Sequence, residues 1–290
     1  MEQFLANHET RIAWWLFAAA FVLIGLAETF RPRKELGKST ARRWTGNALL
    51  AACDIAVESV FPLGGTLVAM MVAASPYGVL NIARVPLVLR CALAVILLDL
   101  LRYAQHRVFH GIPLLWRIHR VHHSDPDFDL TTGVRNHPGE VLLQQGIYLS
   151  AVALLAPPPL AVILLGVGTA LQNLFSHANL RLPQWLEATL RPFLITPDVH
   201  RIHHSEQFAE QNSNFGFLFP WWDKLFRTYR AAPAEGHDKM RIGLRGFQDD
   251  RSMNVLHLLA LPFRSSLGPA NAVAEPETGD PPKVGAGREE

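Results

Sequence analysis

The stretch from Val141 through Ser176 contains no charged side chain, which constrains the fold more than any other feature of this chain. A helix of about 20 apolar residues spans the hydrocarbon core of a bilayer. Three consecutive prolines at 157–159 divide the stretch into runs over 141–156 and 160–176, and proline interrupts a helix because it has no backbone N–H. The stretch therefore predicts a hairpin of two helices that enters and leaves a membrane on the same side.

Two other long apolar segments predict further membrane helices. Residues 12–30 hold a single charge, Glu28, near their end. No basic stretch precedes them, so we expect a retained span rather than a cleaved signal peptide. Residues 85–103 form the second segment.

Residues 45–74 are also apolar but carry two acids, Asp54 and Glu58, and a break near residues 62–65. Acids at membrane depth are candidates for a functional role. The alternative, which we favour, is a partly interfacial helix with a polar stripe.

The composition supports a membrane protein with a substantial aqueous part. Hydrophobic residues make up 49% of the chain and charged residues only 18%, against about 25% charged residues in a soluble domain. The net charge of +2 is too small to indicate binding to nucleic acid.

The distribution of basic residues predicts the orientation in the membrane. The loop 31–43 carries six basic residues and one acid, and short basic loops remain in the cytoplasm. The histidine-rich segments 104–140 and 177–204 would then lie at that same face of a bacterial inner membrane or an endoplasmic reticulum membrane. We therefore expect a multi-pass integral membrane protein.

The predicted fold class is all-α: an integral-membrane helical bundle with a histidine-rich helical cap at its cytoplasmic face, holding a di-metal centre. The tail is rich in Pro, Gly and Ala, a composition typical of disorder. The expected parts are N-terminal transmembrane helices (1–103), a histidine-box catalytic region that includes the membrane hairpin 141–176 (104–230), a C-terminal cytoplasmic segment (231–263) and a disordered tail (264–290).

Histidines recur at helical spacing in three places. His106 and His110 are four residues apart, and "HRVHHSD" (119–125) closely matches "HRIHHSE" (200–206). Residues three or four apart share one face of a helix. Two more histidines, His137 and His177, lie nearby.

These histidines are candidate metal ligands. A zinc site uses three or four protein ligands, so ten histidines suffice for two metal ions. Imidazole suits Zn, Cu, Fe and Ni, and the ligand type alone does not choose between them. The candidates are His106, His110, His119, His122, His123, His137, His177, His200, His203 and His204.

Four acids are candidate hydrogen-bond partners of these ligands, because a metal-bound histidine usually donates its second ring nitrogen to a carboxylate or carbonyl. They are Asp99, Asp125, Glu140 and Glu206. The segment "TPDVHRIHH" (196–204) also has the signals of a helix start, with Thr196 in a capping position and proline at the first helical position.

The pattern H-x3-H, then H-x2-HH, then a distant H-x2-HH resembles the fatty acid hydroxylase/sterol desaturase superfamily of integral-membrane di-iron oxygenases. "LLWRIHRVHHSD", "TTGVRNHPGE" and "TPDVHRIHHS" fit the pattern of that family. "NFGFLFPWWDKLFRTY" (214–229) is similar to its C-terminal motif. The resemblance covers about residues 99–230.

The resemblance implies two iron ions, with zinc as a possible substitute in purified protein, bound by the histidines of the three boxes, by His177 and by His137. It implies an O2-dependent oxidoreductase that hydroxylates a C–H bond of a fatty acid, sterol or related lipid. No fused electron-transfer domain is recognisable, so we expect a separate donor of the cytochrome b5, ferredoxin or reductase type. No catalytic residue is expected beyond the metal ligands.

Three alternatives remain open at this point. The same centre could carry out a sterol-type desaturation, because both outcomes begin with removal of a hydrogen atom. Two zinc ions could instead serve a membrane hydrolase or isomerase by activating water. A metal transporter or sensor is disfavoured, because transporters place their ligands at mid-membrane between broken helices.

Overall fold

The computed structural model describes residues 2–61, 64–82 and 85–264. Within them every regular element is helical, apart from two isolated bridges that pair Pro32 with Leu180 and Ser205 with Ile242. This agrees with the all-α prediction. Most of the tail predicted to be disordered lies outside the described residues.

The N-terminal part consists of α1 (Glu2–Phe30), α2 (Thr40–Glu58), α3 (Gly65–Val72), α4 (Val79–Ile82) and α5 (Leu87–Gly111). The break predicted near residues 62–65 separates α2 from α3. The segment predicted over 85–103 is longer than expected, because α5 continues without interruption through His106 and His110. The expected division after residue 103 therefore falls inside one helix.

α6 (Pro113–His123) begins directly after α5, with proline at its first position, where the missing backbone N–H costs nothing. A short 3-10 turn at Leu130–Val134 precedes α7 (Pro138–Leu155), and a proline-rich link joins α7 to α8 (Pro159–Ser176). Glu140 in the first turn of α7 and His177 at the end of α8 both contact histidines of α6. The chain therefore leaves α6 through α7 and returns to it through α8, which is the path of the predicted hairpin. Of these two helices only α8 is among the candidate membrane spans of the described residues.

The C-terminal part is made of shorter elements: α9 (Gln184–Leu190), α10 (Pro197–His203), α11 (Phe208–Gln211), α12 (Trp221–Leu225) and α13 (Val255–Ala260), with 3-10 turns at Asp250–Met253 and Leu261–Phe263. α10 has the proline start predicted from the sequence, but the hydroxyl of Thr196 does not cap it. That hydroxyl donates instead to Glu187, at 2.6 Å.

Two of the described helices are long and apolar enough to cross a membrane, judged by length and composition: Arg11–Phe30 within α1, and α8. α8 packs against α1, α3 and α5. Large apolar side chains remain exposed on the outside, among them Trp15 (77% exposed) and Leu23 (66%) on α1, and Val88 (81%) on α5. Extensive exposed apolar surface of this kind marks contact with lipid or another apolar partner.

A buried ion pair attaches α2 to the loop that follows α6. The guanidinium of Arg43 donates to Asp125 at 2.8 Å and to Asp129 at 2.7 Å, and all three side chains are buried. Arg135, also fully buried, donates to the carbonyl of Val121 at 2.9 Å. These contacts fix the loop 124–136 next to the end of the helix that bears three histidines.

Candidate metal centre

The structure brings nine of the ten candidate histidines together in two groups. In each group, the ligand atoms lie within 4.8 Å of one another. The first group comes from α5, α6 and α10 and contains His106, His110, His119, His123 and His203. The second comes from α6, α8 and α10 and contains His122, His177, His200 and His204.

The paired histidines of the two matching motifs are divided between the groups. His122 joins the second group and His123 the first, while His203 joins the first and His204 the second. Successive residues on a helix point about 100° apart, and the ring planes of His122 and His123 are 90° apart. The H-x2-HH motif thus supplies ligands to two neighbouring positions from a single helix.

Five of the grouped histidines are oriented by a hydrogen bond from Nδ1. His106 donates to the carbonyl of Phe215 at 2.9 Å, and His203 to that of Ser213 at 2.7 Å. His122 donates to the carbonyl of Arg135 at 3.2 Å, and His177 to that of Asn173 at 2.8 Å.

The fifth, His119, donates to the carboxylate of Glu140 at 2.7 Å. When Nδ1 carries the proton, Nε2 keeps its lone pair and is available to a metal.

The hydrogen bonding of the Nε2 atoms shows whether a metal ion fits this site. Those of His106, His119, His203 and His204 are buried and have no hydrogen-bond partner among the described residues. Both ring nitrogens of His110 and His123 are in the same situation. Buried polar atoms are almost always satisfied, so this number of unsatisfied nitrogens facing one another indicates a site built for a cation.

The distances between ring nitrogens in the second group also indicate a site for a cation. Nε2 of His177 lies 3.2 Å from Nε2 of His122 and 3.0 Å from Nε2 of His200. The Nδ1 protons of His122 and His177 are already donated to carbonyls, so two lone pairs face each other. Ligand nitrogens about 2.0–2.1 Å from a shared ion lie about 3 Å apart, so a bound cation relieves this repulsion.

Burial also keeps the imidazoles in the neutral form that binds metal. Desolvation lowers the pKa of His203 to about 3 and that of His177 to about 4. It holds the pKa values of His110, His122 and His123 well below the ordinary 6.5, and neighbouring imidazoles lower them further.

His137 is the one candidate that the structure does not bring to either group. It is the N-cap of α7, where its Nδ1 accepts from the backbone N–H of Gly139 at 3.0 Å. Its Nε2 donates to the carbonyl of Leu259 at 3.2 Å. Both ring nitrogens are therefore occupied by structural hydrogen bonds.

Of the four candidate acids, only Glu140 contacts a grouped histidine. Asp99 instead accepts from the backbone N–H of Leu218 at 3.0 Å and from the indole of Trp222 at 2.8 Å. Asp125 pairs with Arg43, which holds the pKa of that carboxyl far below its usual range. Glu206 pairs with Arg241 at 3.2 Å.

The segment 213–230 orients two ligands in a way that spacing did not predict. The backbone N–H groups of Phe215 and Gly216 donate to Asp223 at 2.8 and 2.7 Å. A Cβ atom at position 216 would lie 2.7 Å from the carbonyl oxygen of Phe219, so the turn requires glycine. The carbonyls of Ser213 and Phe215, held in this turn, accept from His203 and His106. The motif in residues 214–229 was the only sequence signal for this role.

A cavity of about 310 Å³ borders both groups. Its wall includes His106 and His119 of the first group and His122, His177 and His200 of the second. Helices α2, α5, α7 and α8 supply most of the rest, together with Gly133, Asn136 and Phe217 from the connecting segments. The candidate metal positions are therefore accessible to a bound molecule.

Comparison with known families identifies the histidine-bearing region. Residues 91–228 match the model of the fatty acid hydroxylase family. The matched region contains every candidate ligand and acid described above.

Curated relatives agree with this match. An ornithine lipid hydroxylase of Rhizobium tropici is 29% identical over 51% of this chain, and an alkylglycerol monooxygenase of Homo sapiens is 28% identical over 44%. A cholesterol 25-hydroxylase of Rattus norvegicus is 30% identical over 61%. The alignments cover 44%, 28% and 63% of these relatives, so the chain spans less than two thirds of the length of each. No solved structure matches the chain.

Proposed function

We propose that this chain, whose residues 91–228 match the fatty acid hydroxylase family, is a membrane-bound di-iron oxidoreductase that hydroxylates a lipid C–H bond with O2 and an external reductant. The observation that carries the proposal is the pair of buried histidine groups, whose unpartnered ring nitrogens face one another. One group would hold each iron ion. His137 is omitted from the proposed ligands, because both its nitrogens are engaged elsewhere.

Two bound iron ions would supply the reduction of O2 and the attack on an unactivated C–H bond, which side chains do not perform unaided. The chain's own residues prepare the site. Glu140 and the backbone carbonyls of Ser213, Phe215, Arg135 and Asn173 fix five rings in the tautomer that presents Nε2. Desolvation lowers the pKa of His177 to about 4 and that of His203 to about 3, so these two imidazoles stay neutral at pH 7.

A lipid substrate is supported by the relatives and by the membrane helices. The three relatives are named as enzymes that hydroxylate or oxygenate an ornithine lipid, an alkylglycerol and cholesterol. The cavity at the histidines is walled partly by α8, one of the two candidate membrane spans. A lipid could therefore pass from the bilayer to the metal centre without crossing water.

The proposed membrane orientation is multi-pass with the metal centre at the cytoplasmic face, where a separate electron donor would dock. The basic loop 31–43 supports it. Its residues Arg33 and Lys34 contact the histidine-bearing half directly: Arg33 pairs with Asp198 at 2.9 Å, and Lys34 donates to the carbonyl of Met240. The loop and the histidines would therefore share one face.

The test is metal analysis of the detergent-purified chain, expressed with added iron and no added zinc, followed by lipid turnover under labelled O2. We expect about two iron ions per chain and a product that carries one labelled oxygen. An unsaturated product without label would replace hydroxylation by desaturation with the same centre. Turnover in the absence of O2, or no stoichiometric metal after anaerobic reconstitution with iron, would contradict the proposal.

A further inference from the structure

The lining of the cavity is more polar than the pocket of a purely hydrocarbon substrate needs to be. Ligand pockets are lined mainly by apolar and aromatic side chains. Here, besides the histidines, five carboxamide side chains, three charged side chains (Glu58, Arg102 and Glu140) and one phenol line the wall, while Val141, Ala170 and Phe217 supply most of its apolar part. The volume of about 310 Å³ is at the lower end for ligand pockets. The cavity therefore suits the polar end of a lipid and the carbons next to it.

Arg102 is the cation in this wall. Its guanidinium lies 5.4 Å from the ring centre of Tyr148 and 5.1 Å from that of Phe217. Its Nε is buried without a hydrogen-bond partner, and no ion pair joins it to a carboxylate among the described residues. Two aromatic rings thus hold a planar guanidinium in place while its donors remain available.

Gln105 adds a second available donor beside it. Its amide nitrogen Nε2 is buried and has no partner among the described residues. Arg102 and Gln105 are three residues apart on α5, so they share a face of that helix. Two neighbouring buried donors are available to the acceptor atoms of a ligand, and a guanidinium pairs best with the paired oxygens of a carboxylate or phosphate.

The position of Arg102 relative to the metal ligands limits where the reaction occurs. His106, a member of the first histidine group, follows Arg102 by four residues on the same helix face. A rise of 1.5 Å per residue separates the two backbone positions by about 6 Å along the axis. A group held by Arg102 therefore lies about one helical turn from the ligands, and the carbon attacked lies within a few bonds of that group.

We propose that this cavity selects an acidic lipid, with Arg102 and Gln105 binding a carboxylate or phosphate close to the carbon that is hydroxylated. The inference rests on the proposed function and adds the substrate class to it. Arg102 is then a residue that determines specificity, and the hydrocarbon chain extends from the cavity toward the membrane.

Glu58 distinguishes anion binding by Arg102 from a purely structural role of that arginine. It lines the same cavity but is not within ion-pair distance of Arg102. A carboxylate in this wall repels a simple anion, so the natural head group should also carry an N–H or O–H that Glu58 accepts. Removing the charge of Glu58 should therefore strengthen binding of a simple anion, whereas removing that of Arg102 weakens it.

The test is equilibrium binding of octanoate, octyl phosphate and octan-1-ol to the metal-loaded full chain in lipid nanodiscs, below micelle-forming concentrations. We expect both anions to bind more tightly than the alcohol. Arg102→Gln should weaken anion binding about ten- to a hundredfold, the usual effect of one charge-assisted hydrogen bond. Glu58→Gln should strengthen it, and N-octanoylglycine, which adds an amide N–H, should lose affinity in that variant relative to octanoate.

The matched control is Arg181→Gln, which removes the same charge from an exposed arginine paired only with the exposed Asp238. It should leave anion binding unchanged. Metal content measured on each variant shows whether the fold is retained, and Arg102→Lys serves if Arg102→Gln does not fold. Equal affinity for anion and alcohol, or equal loss with Arg102→Gln and Arg181→Gln, would overturn the proposal. Because binding is measured without turnover, this result is independent of whether the chain hydroxylates a lipid.

Discussion

The hydrogen bond made by Nδ1 distinguishes five of the grouped histidines from His137. Among the grouped histidines, Nδ1 of five rings donates to an oxygen, which leaves Nε2 for a metal. In His137, Nδ1 accepts from a backbone N–H and Nε2 donates to a carbonyl. The same side chain is thus a candidate ligand or a helix cap according to what its two nitrogens contact.

The contrast between Glu140 and Glu206 leads to a first prediction. Glu140→Gln removes the charged acceptor of His119, and loss of such a partner lowers metal affinity about 10- to 100-fold. Glu206→Gln is the matched control, because Glu206 pairs with Arg241 rather than with a grouped histidine. Competition with a chelator measures both variants. Equal iron affinity in the two variants would contradict the role given to Glu140.

His203 and His137 give the second prediction. His203→Ala removes a grouped ligand and should abolish iron binding at the first group. His137→Ala should keep the iron and lose about 1 kcal/mol of unfolding free energy, because a helix cap is removed. Iron content and thermal unfolding of the detergent-solubilised variants check both outcomes. Iron loss in His137→Ala without unfolding would return His137 to the ligand set.

At the scale of the element, the segment 213–230 orients ligands that belong to other helices. Asp223 accepts two backbone N–H groups from its turn and the hydroxyl of Thr228 at 2.7 Å. Asn214 adopts a left-handed backbone conformation with φ 53° and donates to the carbonyl of Val199 in α10. The turn thus connects the two helices that carry His106 and His203.

Asp223→Asn tests this connection. The amide places an N–H against backbone donors, so we expect a loss of about 1–3 kcal/mol of unfolding free energy and a lower iron affinity. Asp238→Asn is the control, since Asp238 is 77% exposed. Chemical unfolding and iron titration measure the two effects. A loss of stability with unchanged iron affinity would contradict the role of this turn in orienting the metal ligands.

α1 gives the fourth prediction. Leu23 is 66% exposed in the middle of a candidate span, and an arginine at the centre of a membrane helix costs about 2.5–3.5 kcal/mol on insertion scales. Leu23→Arg should lower the inserted fraction of the chain. Leu256→Arg makes the same change at a site in α13 that is 73% exposed, outside any candidate span, and should not. Resistance to alkaline extraction of membranes is the readout.

At the scale of the whole molecule, the buried histidines couple stability to pH. Burial depresses the folded-state pKa of His203 to about 3 and that of His177 to about 4, whereas in the unfolded chain these values are about 6.5. Below pH 6.5 the unfolded state therefore binds more protons, and stability falls as the pH decreases.

For the metal-free chain in detergent, we expect a flat unfolding temperature from pH 8 to about 7 and a steep decrease from there to pH 5. Thermal unfolding at constant ionic strength measures it. An unfolding temperature that is constant or rises on acidification would mean that these imidazoles are charged or exposed in the fold.

Much of the fold follows from local patterns in the sequence. The uncharged stretch before His177 predicted the hairpin α7–α8, and the proline after Thr196 predicted the start of α10. The histidine spacings predicted shared helix faces for His106 with His110 and for His119 with its neighbours. Each of these depends on residues within one or two helical turns, and helical geometry is the same in every sequence.

The assignment of histidines to two groups depended on tertiary structure. So did the exclusion of His137, and the finding that Asp99 and Asp125 bind a backbone amide and an arginine rather than a ligand. These outcomes are set by partners such as Leu218 and Arg43, which are distant in the sequence. The sequence by itself determined which side chains could bind metal, because that depends on their chemistry and helical spacing. Only the packing of α5, α6, α8 and α10 decided which nitrogens face one another, because a hydrogen bond or metal site requires atoms within a few ångströms in space.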